Sequence, residues 1–349
     1  MERFVRCRHC NLPHVASVLR CPFTGDVVDP QTRLPAGVTW KPSRDDLTGT
    51  LLEDRYLLGK RIGDGAMGSV YRSEHVHLGT TVAVKVLHSR FESGSAAETR
   101  FLREGQSAGR IEHPNVVRIF DVGRLPDGAP YIVMEHLTGQ ELSAQLGGHR
   151  LPVARVAQLG GQLLDGLARA HAERVIHRDI KPDNLFLAQE RGEEVLKILD
   201  FSIAKDESQE GLTGDGDVLG TPHYLAPEQA MGRPVDARVD LWASGVVMYE
   251  MLTGALPFEG ENFPQLVMGI LTASPAPPST HLPGLPSAVD DFFACALAKE
   301  PDERFQDARA MAAAMRHAFR DLNDRAGDSG ERVVTTVDRV DMDDTIVDP

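Results

Sequence analysis

Eight consecutive residues, His177-Arg178-Asp179-Ile180-Lys181-Pro182-Asp183-Asn184, carry the densest set of reactive side chains in this chain. An acid lies between a His-Arg pair and a lysine, and an asparagine follows five positions after the acid. Val175 and Ile176 on one side and Leu185, Phe186 and Leu187 on the other enclose them. Polar groups framed so closely by apolar ones suit acid–base work at the floor of a cleft. The plain alternative is a polar loop with a salt bridge. The spacing of acid, lysine and amide inside an apolar frame is rarer than that alternative requires.

Other candidate residues lie upstream and downstream. Gly63, Gly65 and Gly68 fall between two apolar strand-like segments, and glycine lets backbone N–H groups approach phosphates closely. A strand is expected after this turn, where a dinucleotide-binding fold would need a helix. Lys85 sits within the apolar run 81–87. It could snorkel from a strand edge, but a buried ammonium needs an anionic partner. Glu104, on a helix expected over 96–110, is the first candidate and Glu98 the second. Either could instead be a solvated surface charge. Asp200-Phe201-Ser202 ends a short strand over 195–199.

The elements that must position these groups can be read from periodicity. Strands are expected from Arg55 to about Val86, and a hairpin over 116–122 and 131–137 turns at Asp127-Gly128. Five strands and one helix therefore precede residue 137. Val156, Leu159, Leu163, Leu167 and Ala170 then recur at helical spacing and lead to His177. Residues 205–220 read as a polar, Gly-rich loop, 241–252 as an apolar helix broken by Gly254, 274–286 as Pro-rich loop, and 288–320 as two helices.

Composition narrows the function. The chain has 349 residues, 42% apolar and 25% charged, as in ordinary globular proteins. Its net charge of -14 disfavours non-specific nucleic-acid binding. Its apolar runs are too short for a membrane span, and no secretory signal opens it. A cytoplasmic protein with neither nucleic-acid partner nor membrane span is expected. Residues 321–349 hold nine acids and three arginines, so this stretch should be a disordered acidic tail. Residues 26–54 read as a linker. In residues 1–25, Cys7-x2-Cys10 and Cys21, with His14 or His9 as a fourth ligand, form a Cys-rich, zinc-ribbon-like knuckle that could hold Zn²⁺. A degenerate knuckle of reduced thiols is the competing reading. The short basic start lacks the interleaved aromatics of a nucleic-acid binder.

Taken in order, Gly63-Gly65-Gly68, Lys85, Glu104, Asp179 with Asn184, Asp200, Ala226-Pro227-Glu228, Asp240 and Arg304 resemble the protein kinase family. Within it they resemble the bacterial-type, eukaryotic-like (Hanks-type) serine/threonine kinases. The resemblance covers residues 55–320 and implies an α+β bilobal fold. A five-stranded antiparallel sheet with one helix would form the small lobe, 55–137, and a mainly helical lobe would span 138–320. It also implies ATP with Mg²⁺ or Mn²⁺ as cofactors and protein Ser/Thr hydroxyls as acceptors. By the same resemblance Lys85, held by Glu104, grips the α and β phosphates. Asp200 and Asn184 hold metal, Asp179 accepts or orients the substrate hydroxyl, and Lys181 neutralises the γ-phosphate. Lys181 is the serine/threonine form of this loop. Adenine would sit between Ile62, Val70 and Ala83 above and Phe186 below. Met134 would be the gatekeeper, and backbone groups of Glu135 and Leu137 would bond the base. Ordinary core packing would suit the same apolar positions. Glu228 and Arg304 would form a buried structural pair.

The resemblance carries regulatory expectations too. Arg178 before the catalytic acid implies a phosphate-ordered activation loop in bacterial signal transduction, with Thr213 as the autophosphorylation site. Thr221 would help shape the substrate site by bonding Asp179 and Lys181. Ser202 stands where the family has glycine. It should bias loop excursions by roughly 1 kcal/mol without removing a metal ligand. A pseudokinase or nucleotide-binding scaffold is the rival reading, against which the intact Lys85, Asp179, Asn184 and Asp200 weigh. In the tail, Thr335-x-x-Asp338 and Thr345-x-x-Asp348 could dock a phosphothreonine-binding (FHA-like) partner, or simply lie in a solubilising segment.

Overall fold

The computed structural model describes residues 4–6, 13–15, 46–65, 68–88, 94–125, 127–201 and 222–320. At the first two stretches, and at Ala96, Ala97, Arg100, Arg103 and Glu104, only the backbone is described. Strands β1 (Phe4–Arg6) and β2 (Pro13–Val15) pair antiparallel, Val5 opposite His14. Cys7, Cys10, Cys21, Ser202, Thr213, Thr221 and the acidic tail lie outside the described residues.

A six-stranded antiparallel sheet follows. Its strands are β3 (Leu51–Leu52), β4 (Tyr56–Gly65), β5 (Gly68–His75), β6 (Thr80–Leu87), β7 (Ile119–Arg124) and β8 (Pro130–Glu135), in spatial order β3-β4-β5-β6-β8-β7. Helix α1 (Ala96–Ala108) links β6 to β7. The expected five strands are present, and the strand after the glycine turn is β5, not a helix. The sixth strand corrects the linker boundary. Leu51–Leu52 pair with Leu57 and Tyr56, and Leu52 is buried. Gly49 N–H donates to Leu58 O, and Thr48 Oγ1 donates to Gly59 O. The end of the expected linker 26–54 is therefore built into the sheet. Two or three apolar residues carry too little period-2 signal to announce such a strand.

The sheet's two faces bury different cores, as alternation along a strand requires. Val82, Val84 and Val86 join Leu58, Tyr71, Tyr131 and Val133 in one cluster. Ala83, Ile132 and Met134 join the main core on the other face. That core runs on into a mainly helical lobe built of β9 (Gly139–Glu141), α2 (Ser143–Leu146), α3 (Val153–Ala172), β10 (Leu185–Glu190), β11 (Glu193–Ile198), α4 (Pro227–Ala230), α5 (Arg238–Thr253), α6 (Phe263–Thr272), α7 (Ser287–Ala296) and α8 (Ala308–Ala318). Strands β9, β10 and β11 form a small antiparallel sheet.

Helix α5 is apolar and buried all round, the signature of a helix inside a core rather than on it. Gly254 ends it at φ 74°, a left-handed cap suited to glycine. α3 packs against both α5 and α8. No helix among the described residues is long and apolar enough to cross a membrane. If residues 46–54 belong to the sheet, Leu52→Ala should destabilise the folded protein by about 2–3 kcal/mol. Urea unfolding followed by fluorescence checks this, and an unchanged midpoint would return the segment to the linker.

Candidate active site

The sheet's inner face is where the sequence-predicted nucleotide residues meet. Val70 of β5 lies opposite Lys85 of β6, and Ala83 lies opposite Met134 of β8. Directly opposed residues share a face, so Val70, Ala83, Lys85 and Met134 line one side. Ala83 and Met134 are buried, whereas Ile62 is half exposed near the turn. Gly63, Gly65 and Gly68 lie in the β4–β5 hairpin, with Gly63 opposite Val70 and Gly65 opposite Gly68. A Cβ at Gly68 would collide with the Val86 carbonyl. That glycine is thus required by close strand approach.

Across from this face, Phe186 of β10 stands opposite Lys197 and Glu141. Lys85 Nζ donates to Asp200 Oδ2 at 2.6 Å, although 115 positions separate them. Lys85 is buried and Asp200 about one-third exposed, so the pair opens towards solvent on the acid's side. Glu98 is not the partner of Lys85: its carboxylate meets Arg124 at 2.7 Å. That removes the second candidate of the sequence reading.

The octet folds as a loop that ends in a single 3₁₀ turn, Pro182–Asn184. Asn184 Nδ2 donates to Asp179 Oδ2 at 3.0 Å and to Asp179 O at 2.7 Å. Lys181 Nζ approaches the same Oδ2 at 3.2 Å. The amide nitrogen is thereby committed, which leaves the Asn184 carbonyl oxygen as its ligating end.

The loop is held from below by α5. Asp240 is 1% exposed, and its Oδ2 accepts from His177 N at 2.8 Å while Oδ1 accepts from Arg178 N at 2.7 Å. His171 Nε2 also lies 2.8 Å from Oδ2. These bonds hold Arg178 at φ 65°, a conformation non-glycine residues rarely adopt, and Asp200 is held at φ 50°. His177 completes the link. Its Nδ1 accepts from Asp179 N at 3.2 Å, so its Nε2 carries the proton and donates to Leu199 O at 2.6 Å. One neutral imidazole thus ties the residue before Asp200 to the backbone of Asp179. Its ring packs on Phe201.

Supporting contacts reach outward. Gln229 of α4 donates to Arg178 O and accepts from Ala226 N. Glu228 and Arg304 form the expected buried pair, bidentate at 2.7 and 2.8 Å, with the guanidinium over the Trp242 ring. The Glu135 side chain accepts from Arg118 N and pairs with Lys197 Nζ, which also meets Glu190. Lys197 was missed by sequence reasoning. Its signal, a lysine inside the apolar run 195–199, was of the same kind as that of Lys85.

The two-lobed fold and this cleft define a protein kinase. A family profile described as protein kinase domain matches residues 56–319, and the chain belongs to that family. It is 39% identical over 317 residues to the serine/threonine-protein kinase Pkn1 of Myxococcus xanthus, covering 90% of this chain and 45% of that protein. It is 35% identical over 274 residues to the serine/threonine-protein kinase PrkC of Bacillus subtilis, covering 78% and 42%. Both matches span less than half of the relative's length. Among solved structures, the PknI kinase domain of Mycobacterium tuberculosis superposes with a TM-score of 0.61 at 28% identity, covering 75% of this chain and 95% of that one.

Burial depresses the pKa of His177 below its ordinary value of 6.5, against the opposing pull of Asp240. Burial also lowers His113, His136 and His223. The unfolded chain therefore takes up protons first as pH falls below 6.5, so stability is full above that value and declines below it. Thermal unfolding should show Tm falling between pH 7 and 5, less steeply in His177→Gln. Parallel curves for the two proteins would remove His177 from this account.

Proposed function

We propose that this chain is an ATP- and Mg²⁺-dependent protein kinase that transfers the γ-phosphoryl group to Ser/Thr hydroxyls of other proteins, in bacterial signal transduction. The observation that carries this reading is the Lys85–Asp200 pair, set beside an Asp179 oriented by Asn184 and Lys181. The names of the bacterial relatives point the same way.

Phosphoryl transfer asks the protein mainly for positioning and charge compensation. Carboxylate and amide oxygens are the hard ligands Mg²⁺ prefers, and Asp200 and the Asn184 carbonyl supply them; a bound ion there would neutralise phosphate charge. Lys85 would hold the α and β phosphates, with Glu104 as its stabilising partner. Asp179 would accept the hydroxyl proton or orient the hydroxyl, and Lys181 would offset the γ-phosphate charge. Ile62, Val70 and Ala83 above and Phe186 below would sandwich adenine, with Met134 as gatekeeper, and backbone groups of Glu135 and Leu137 would bond it. Glu135 N–H is already committed to Arg118 O, so its carbonyl is the group left to meet the base. The intact set weighs against a scaffold without activity. Ser202 then alters loop excursions and not metal binding.

The reading needs ATP and so places the chain in the cytoplasm. Two finer readings concern the termini. Cys7-x2-Cys10 spacing, with His14 and Cys21 nearby in sequence, is of the kind in which thiolates share Zn²⁺. Metal analysis of the purified chain, with stoichiometric zinc expected, decides it. The Thr335 and Thr345 motifs are candidate docking sites for a phosphothreonine-binding domain, and unchanged partner binding after deletion of 325–349 would dismiss them.

In a radiolabel assay with a generic basic protein, Asp179→Asn should lower kcat by at least about 100-fold. Mass spectrometry of the wild type after ATP incubation should find phosphate on Thr213, and Asp179→Asn should not place it there. Equal labelling by both proteins would favour the scaffold, and an active enzyme with an unmodified loop would dismiss Thr213.

A further inference from the structure

Helix α1 is fastened to strand β7 along a single stripe. Glu98 and Gly105 are seven residues apart, nearly two turns, and so lie on one face of the helix. Arg124 and Val122 are two residues apart and so lie on one face of the strand. The two stripes meet. Glu98 Oε1 lies 2.7 Å from Arg124 Nη2. A Cβ on Gly105 would stand 2.8 Å from Val122 Cγ1, so helix and strand approach as closely there as glycine permits. Phe101 and Ala108, on the same side of α1, are buried.

Glu98 also holds the start of the helix. Its N–H donates to Ser95 Oγ, and its Oε2 accepts from Gly94 N. One carboxylate therefore caps α1 with one oxygen and faces Arg124 with the other. The Arg124 contact is short but off the donor axis. Nε and Nη2 of Arg124 are shielded from water, with no aligned acceptor among the described residues. The guanidinium thus depends on the charge of Glu98 more than on a directed hydrogen bond, and a shielded cation deprived of its counter-charge is costly.

Glu104 immediately precedes Gly105, so the rotation of α1 about its axis decides where position 104 is presented. We propose that Arg124 is a positioning residue for phosphotransfer: through Glu98, and with the Gly105–Val122 contact, it sets the rotation of α1 and so brings Glu104 to Lys85. This inference rests on the kinase reading above, in which Glu104 stabilises Lys85.

The test is a cycle of full-length variants assayed for kcat/KM, KM for MgATP and Tm. Arg124→Met keeps most of the aliphatic stem and removes the charge. It should lower kcat/KM about tenfold and raise KM for MgATP, and Arg124→Lys should restore most of the loss. In a Glu104→Gln background the same Arg124→Met change should cost no more than twofold further, because the pair it serves is already gone. Wild-type kcat/KM in Arg124→Met would overturn the proposal. So would an equal loss in both backgrounds, or a loss matched by a fall in Tm that Arg124→Lys leaves unrepaired. Glu104→Gln alone tests the underlying reading: full activity there would mean that Lys85 does not need Glu104.

Discussion

The buried carboxylate of Asp240 is the contact on which the candidate active site depends. It rises from α5, the helix buried on every side, and takes the backbone N–H groups of His177 and Arg178 on its two oxygens. Backbone donors buried without a partner cost about 1–3 kcal/mol each, so the loop has strong reason to stay where the carboxylate is. Only with that support is the left-handed backbone at Arg178 sustained. The next residue, Asp179, then meets Lys181 and Asn184. Arg304, held in its buried ion pair with Glu228 of α4, lays its guanidinium over the Trp242 ring of the same helix. The loop from His177 to Asn184, itself partly buried, is thus mounted on a helix enclosed along most of its length.

The second half of the site follows from strand alternation. Residues 82, 84 and 86 fill one core and residues 83 and 85 face the other way. A lysine at 84 or 86 would have been buried among Tyr71, Tyr131 and Val133. At 85 it emerges on the face shared with Val70 and Met134 and can reach Asp200 on the opposite lobe. His177 joins the two halves. Because it is neutral and each ring nitrogen has a defined role, it relates the backbone at Leu199 to that at Asp179. The metal-ligand candidate and the base candidate are therefore set relative to each other by one side chain. Neither is positioned by its own sequence neighbourhood alone.

Much of this could be read from the chain before folding. The order and spacing of Gly63 to Gly68, Lys85, the octet and Asp200 pointed to the family. Helical spacing located α1, α3 and α5 closely, because long amphipathic or apolar runs carry many periods. The strand at Leu51–Leu52 and the helix at Phe263–Thr272 were not foreseen. One is too short for periodicity, and the other follows a Gly-Pro-rich stretch that reads as loop. Asp240 was recognisable only as a family position. Its partners lie 62 and 63 residues away, and no local pattern announces a bond between a side chain and a distant backbone.

The two lysines in apolar strands show where sequence reasoning stops. Lys85 and Lys197 carry the same local signal, a cation in a hydrophobic run, and the same inference applies to both: each needs an anion. The inference holds for both, yet their roles differ. Lys85 reaches across to an acid that remains partly open to solvent, so its charge is available to a ligand. Lys197 is nearly enclosed and divides its charge between Glu135, at the end of β8, and Glu190, so that charge is spent on bracing the strand end. What separates the two lysines is the set of carboxylates around each: among the described residues Lys85 meets one, on the opposite lobe, whereas Lys197 is shared between two. Which carboxylates come within reach depends on strands and loops far apart in the chain, and only the packed structure decides that.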